Sequence, residues 1–150
     1  MQADDSICMN QALRLAEEAS EADEAPVGCV IVDEAGAVIG QGRNRREELR
    51  DATAHAEVEA IREACRKRGN WRLDGCSLYV TLEPCPMCAG AILNARVSRV
   101  VYAAREPNSG SCGSVIDLFS EHYSHHPAVY AGIGEEEGRR LLQEYFQKKR

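Results

Sequence analysis

No apolar run in the 150-residue sequence approaches the roughly 20 residues that a bilayer-crossing helix needs, which excludes a helical membrane span. The first residues, Met1 to Asp5, are acidic where a secretory leader would be basic and then greasy, so a cytosolic location is expected. Positive charge is in the minority: 18 Lys and Arg stand against 24 Asp and Glu, a formal net charge of −6. That balance excludes a chain coated in cations, and any contact with nucleic acid has to come from a local basic patch. No internal repeat, low-complexity tract or linker interrupts the chain. With 44% hydrophobic and 28% charged residues, its composition lies far from that of disordered chains. The length suits a single domain over residues 1–150, able to bury roughly two thirds of its unfolded surface without disulfide staples.

Cysteine, by contrast, is plentiful. Seven cysteines, an odd number, in a chain with no sign of export argue against a disulfide framework and for metal or redox chemistry at some of them. Cys8, Cys29, Cys65 and Cys76 fall in apolar patterns or at turns and are expected as buried small hydrophobes.

Met9, Ala12, Leu13, Ala16 and Ala19 recur at helical spacing and predict a first helix from Ser6, its N-cap, to Ser20. Val27 to Val32 and Val38 to Gly40, joined by the turn Asp33 to Gly36, predict a β-hairpin, followed by a loop with Gly42, Arg43, Asn44, Arg45 and Arg46. A second helix fits Ala54 to Lys67, closed by Gly69. The nearly continuous apolar run Ser77 to Leu82 predicts a central strand buried on both faces. Cys88 to Ala95 reads as a third helix and Val97 to Ala103 as a strand, an order that implies a parallel pair. Beyond a glycine- and serine-rich segment, Arg105 to Gly113, the chain predicts a short helical turn (Val115 to Phe119), a short strand (Ala128 to Tyr130) and a terminal helix (Glu135 to Lys149). Strands alternating with helices around one sheet make a three-layer α/β/α domain.

The residues that carry chemistry are His55 and Glu57, near the start of the second helix, and Cys85 and Cys88, where the third begins. One imidazole and two thiolates suit the borderline-soft zinc ion. Three protein ligands leave the fourth tetrahedral position to water, as a catalytic site requires. Cysteines three apart at a helix start share a face, and the dipole and free N–H groups there favour thiolate over thiol. Glu57 lies two residues from His55, so it points elsewhere and belongs beside the metal as a proton shuttle. His-x-Glu followed by Pro-Cys-x-x-Cys is the recorded signature of the zinc nucleobase deaminases. The alternative is a closed structural site in which Cys112, His122, His125 or His126 supplies a fourth ligand and Glu57 is a solvated helix residue.

The strings Asp51 to Glu57 (DATAHAE), Asn70 to Leu73 (NWRL), Leu78 to Gly90 (LYVTLEPCPMCAG) and Arg99 to Tyr102 (RVVY) resemble the bacterial tRNA-specific adenosine deaminases. The resemblance extends through Gly113, Ser114, Asp117 and His125 to the terminal Leu141 to Phe146 segment and its basic end. It implies a cytidine deaminase-like fold with a central mixed five-stranded sheet. One zinc ion per subunit is implied on His55, Cys85 and Cys88, with Glu57 as acid and base. Zinc lowers the pKa of its water from about 15.7 toward about 7, Glu57 takes the proton, and the amino-bearing ring carbon is attacked. The resemblance further implies a homodimer acting on a tRNA anticodon stem-loop, converting the wobble adenosine to inosine. Asn44 would hydrogen-bond the flipped base, and Glu106, His125, Lys149 and Arg150 would contact the RNA. By spacing alone, Asn44 reads rather as a turn residue after a strand, and the terminal cations equally as a complement to the helix dipole. Ala52 stands where the family usually has Pro, which only loosens a helix start; Glu106, Asn108 and Ser124 stand where it usually has Asp, Lys and Asn, differences that touch the RNA contacts and not the zinc chemistry. Tyr102 and Tyr123 are candidates for stacking on splayed loop bases and equally for core or surface packing.

Overall fold

A computed structural model describes residues 4–149. Five strands, β1 (Gly28–Val32), β2 (Val38–Arg43), β3 (Ser77–Leu82), β4 (Arg99–Ala104) and β5 (Ala128–Ala131), form one sheet in the order β2-β1-β3-β4-β5. β1 runs antiparallel to both β2 and β3, whereas β3, β4 and β5 are parallel, so the sheet is mixed. Five helices accompany it: α1 (Asp5–Glu21), α2 (Arg46–Leu49), α3 (Ala56–Arg68), α4 (Pro86–Ala95) and α5 (Glu135–Lys148).

Alternation along the strands sorts the core into two layers. On one face Cys29, Ile31, Leu78, Val80, Val100 and Tyr102 pack against Ala56, Ala60 and Ala64 of α3 and Ala89 and Ile92 of α4. On the other, Val30, Val32, Tyr79, Val101 and Ala103 meet Met9, Ala12, Leu13 and Ala16 of α1 and Leu141 of α5. The expected three-layer α/β/α arrangement is the one found, and β3 is buried on both faces at its four middle residues. Small residues set the spacing of the α3 layer. A Cβ at Gly40 or Gly42 would fall 2.3 Å from the Ala60 carbonyl or 2.5 Å from that of Ala56, so the helix rides directly on the strand backbone.

Several boundaries differ from the sequence reading. The N-cap of α1 is Asp4 and not Ser6, because the Asp4 carboxylate accepts both Ser6 N–H and Ile7 N–H. β2 continues three residues past Gly40, since its glycines serve packing rather than a turn. α3 begins at Ala56, two residues later than expected. α4 begins two residues earlier, at Pro86, whose fixed φ and missing N–H suit a first helical position. The segment read as a loop after the hairpin contains α2. Only Leu118–Ser120 is helical in the expected turn, as a single 3-10 turn. Cys8, Cys29 and Cys76 are buried as expected, Cys65 is half-buried, and all seven cysteines are free thiols.

Candidate active site

The N-termini of α3 and α4 meet, and their caps are His55 and Cys85. Neither side chain caps its own helix, so both are free to face each other. Cys88, in the first turn of α4, completes the group: His55 Nδ1 lies 3.7 Å from Cys85 Sγ and 3.5 Å from Cys88 Sγ. A tetrahedral ion about 2.3 Å from sulfur and about 2.0 Å from nitrogen requires sulfur–nitrogen separations of about 3.6 Å, so the three residues fit zinc as they stand. Among the described residues this is the one such group, its ligand atoms all within 4.8 Å of one another. The closed-site alternative fails. Cys112, His122, His125 and His126 lie outside the group, and the rings of His125 and His126 bond the carbonyls of Val97 and Phe119.

Without metal, Cys85 is already driven toward thiolate. A hydrogen bond from the Cys88 thiol, helped by His55 and opposed by burial, holds the Cys85 thiol down at about 4. Cys88, which keeps the shared proton, is pushed far up by that same bond and by its burial. His55 is raised by its contact with Cys85. Thiolates at the start of a helix are favoured by its dipole, as the spacing suggested. Glu57 is 4% exposed and lines the same cleft; burial lifts its carboxyl to about 7. A carboxylate so poised takes and returns protons near neutrality.

The cleft has a volume of about 210 Å³. Val27 and Leu82 give it apolar walls, Asn44 and Arg46 one polar rim, Glu106 and Ser109 the other, and Leu142 and Phe146 of α5 its mouth. The Asn44 carboxamide accepts from Arg46 N–H and donates to the Ala25 carbonyl, and so stands fixed at the wall with one N–H left to offer.

Two buried carboxylates that the sequence reading did not single out shape these rims. Glu24, 1% exposed, accepts the N–H groups of Glu47 and Glu48 and thereby caps α2. Glu83, 2% exposed, receives hydrogen bonds from Glu106, Cys112 and Ser114. Burial opposes its ionisation, but these bonds outweigh it and hold the carboxyl below its ordinary range. Only the Glu-Pro-Cys string around Glu83 could have drawn attention to either.

Of the residues expected to touch substrate, Asn44 and Glu106 stand in the cleft with Glu57. His125 does not; it lines a separate groove beside Arg96, Leu118 and Tyr123, its ring 2.6 Å from the Val97 carbonyl. Lys149 pairs with Asp23 and lies over the Tyr145 ring, and Arg150 lies outside the described residues. Tyr102 is a core residue at 2% exposure and offers no stacking face, whereas Tyr123 is exposed. The basic residues do not all converge: Arg43 and Arg45 both pair with Glu48, and Arg96 covers Trp71, while Arg46 faces the cleft.

Residues 2–104 match the family described as the cytidine and deoxycytidylate deaminase zinc-binding region. The tRNA-specific adenosine deaminase of Agrobacterium fabrum is 48% identical over 143 residues, 95% of this chain and 93% of that protein. The tRNA(Ile)-lysidine synthase of Deinococcus deserti is 49% identical over 142 residues; the match takes in 95% of this chain but spans only 27% of the length of that relative. Among solved structures, one from a study of A-to-I editing by tRNA:A34 deaminases superposes with a TM-score of 0.86 at 47% identity, covering 91% of this chain and 99% of that one.

Proposed function

The chain belongs to the zinc-binding cytidine and deoxycytidylate deaminase family, and on that premise we propose that it is a tRNA adenosine deaminase, hydrolysing the wobble adenosine of an anticodon to inosine. The observation that carries this reading is the end-to-end match to a tRNA-specific adenosine deaminase, 95% of one chain on 93% of the other, in a chain whose His55, Cys85, Cys88 and Glu57 converge on one cleft.

His55, Cys85 and Cys88 would hold the ion, and zinc supplies there a water acidic enough to act as nucleophile at neutral pH. Glu57 would take the two protons of the attacking water in turn, passing the first to the purine ring nitrogen as oxygen adds to the amino-bearing carbon and the second, from the new hydroxyl, to the departing amine as the carbon–nitrogen bond breaks. Adenosine and water become inosine and ammonia. Asn44 and Glu106 line the space where the base sits, and Val27 and Leu82 exclude water around it. His125 and Lys149 are assigned to outlying parts of an anticodon stem-loop, since they stand away from the chemistry; Arg150, expected to act with them, lies outside the described residues. A second copy of the chain would complete that surface, in keeping with the exposed Trp71 and Tyr123 near Arg96. No helix among the described residues is long and apolar enough to cross a membrane, which is compatible with a cytoplasmic enzyme.

The test is nucleoside mass spectrometry of an anticodon stem-loop with a wobble adenosine, alongside free adenine, guanine, cytosine and cytidine. Zinc-loaded wild type is expected to yield inosine from the RNA alone, and Glu57→Gln to keep its zinc while losing at least roughly 100-fold in rate. Turnover of a free base instead would leave the four residues in their roles and remove the RNA assignment. No turnover of any substrate would leave a structural zinc module.

A further inference from the structure

The geometry points to Glu83 as a positioning residue that clamps the Glu106–Ser114 wall of the cleft to the strand end carrying Cys85, and so sets how tightly the target nucleotide seats. The inference rests on the deaminase reading above for its substrate, but the clamp is visible without it. The Glu83 carboxylate is 2% exposed and every acceptor position in use is filled by that one segment. Oε1 accepts Glu106 N–H at 3.1 Å and the Ser114 hydroxyl; Oε2 accepts Cys112 N–H at 3.0 Å and Ser114 N–H at 3.1 Å. Immediately beside it, Ser111 N–H donates to the Pro84 carbonyl at 2.9 Å, and Glu83 N–H to that of Ala104 at 2.8 Å. Residues 83 and 84 thus hold the wall on one side while residue 85 presents a metal ligand on the other.

Gly110 is part of the same joint. A Cβ there would come 2.4 Å from Glu83 Cδ and 2.5 Å from the Glu106 carbonyl oxygen, so only a residue without a side chain lets the segment close on the carboxylate. Glu106 and Ser109, which this closure sets in place, line the cleft together with Asn44. Glutamine fills the space of Glu83 but replaces one acceptor by an NH₂ donor. Aimed at Oε2's partners, it would face two backbone N–H groups. Aimed at Oε1's, it faces one, because the Ser114 hydroxyl can turn and accept. The less damaging orientation therefore releases Glu106, the residue at the cleft wall.

The experiment compares wild type, Glu83→Gln, Gly110→Ala and the double variant, all zinc-loaded, for steady-state kinetics on the stem-loop, zinc content and amide exchange. Each single change is expected to raise KM about tenfold with kcat within about twofold and zinc still one per chain, a tenfold change being what one lost hydrogen bond yields. The double variant should be no worse than the poorer single one, since both open one joint. The amide of Glu106 should exchange about tenfold faster in Glu83→Gln, with those of α4 unchanged. Loss of zinc, or a fall in kcat with KM unmoved, would overturn the proposal and assign Glu83 to supporting Cys85. Unaltered exchange would overturn it outright. Should Glu83→Gln fail to fold, Gly110→Ala carries the same KM test with the carboxylate intact. Should wild type itself not turn over the RNA, the functional reading fails while the exchange measurement still decides the clamp.

Discussion

Cys85 caps α4, shares the proton of Cys88 and presents its sulfur to the metal position. Its reactivity without metal is a consequence. With its thiol held at about 4 by the Cys88 hydrogen bond, it is a thiolate at about pH 6, where Cys76, pushed by burial up to about 11, is a thiol. Zinc-free protein treated briefly with iodoacetamide at that pH is expected to be alkylated at Cys85 at least roughly tenfold faster than at any other cysteine, and bound zinc to abolish the difference; peptide mass spectrometry reads both. Equal labelling of Cys65, the half-buried thiol near the surface, would contradict it. Glu24 and Glu83 act at the same scale and were not legible beforehand. Each serves backbone N–H groups more than twenty residues away, and no local spacing encodes such a partner.

Among the elements, α1 is fastened to the sheet by a polar joint. The Asp5 carboxylate takes two hydrogen bonds from Arg99 of β4, at 2.7 and 2.6 Å, and one at 2.6 Å from the hydroxyl of Tyr79 on β3. The Arg99 hydrogen bond, against a smaller cost of burial, lowers the Asp5 carboxyl below its ordinary 3.8. A depressed carboxylate contributes stability that is present above the unfolded value and lost as pH falls through the folded one. The stability advantage of wild type over Asp5→Asn should therefore be constant from about pH 7 to about pH 5 and shrink below the ordinary value of 3.8, as measured by urea unfolding at each pH. An advantage independent of pH would show that the joint acts through packing. The helices and strands themselves were largely legible, because period and capping are local. β2 and α2 were misread for a shared reason: Gly40 and Gly42 look like turn residues until α3 is seen resting on them, and α2 is capped by a carboxylate from the other end of the preceding hairpin.

At the scale of the whole molecule, a metal on His55, Cys85 and Cys88 would tie the N-termini of α3 and α4 together over the face of the sheet that both cover. An ion bound a thousandfold below its working concentration adds about 4 kcal/mol to the folded state, and for a domain of this size that amounts to about 10 °C in thermal midpoint. Chelation should lower the melting temperature of wild type by about that amount and leave that of Cys88→Ser unchanged, as read by scanning fluorimetry. A midpoint insensitive to chelator would mean that the helix ends are held by the surrounding core alone.

The sequence by itself determined the layered α/β/α architecture and singled out the residues proposed as zinc ligands and as proton-transfer carboxylate, because each is written in spacings of a few residues at helix ends or in the period of a strand. It also carried the resemblance that points to RNA. Tertiary structure alone decided which of the candidate residues share the cleft. It brings Asn44 and Glu106 to Glu57 and leaves His125 bonded to Val97 in another groove. It also made Glu24 and Glu83 the supports of the two rims. Long-range hydrogen bonds and close packing on glycines are properties of segments meeting in space, and a buried carboxylate in an ordinary sequence context gives no sign of which backbone it will meet.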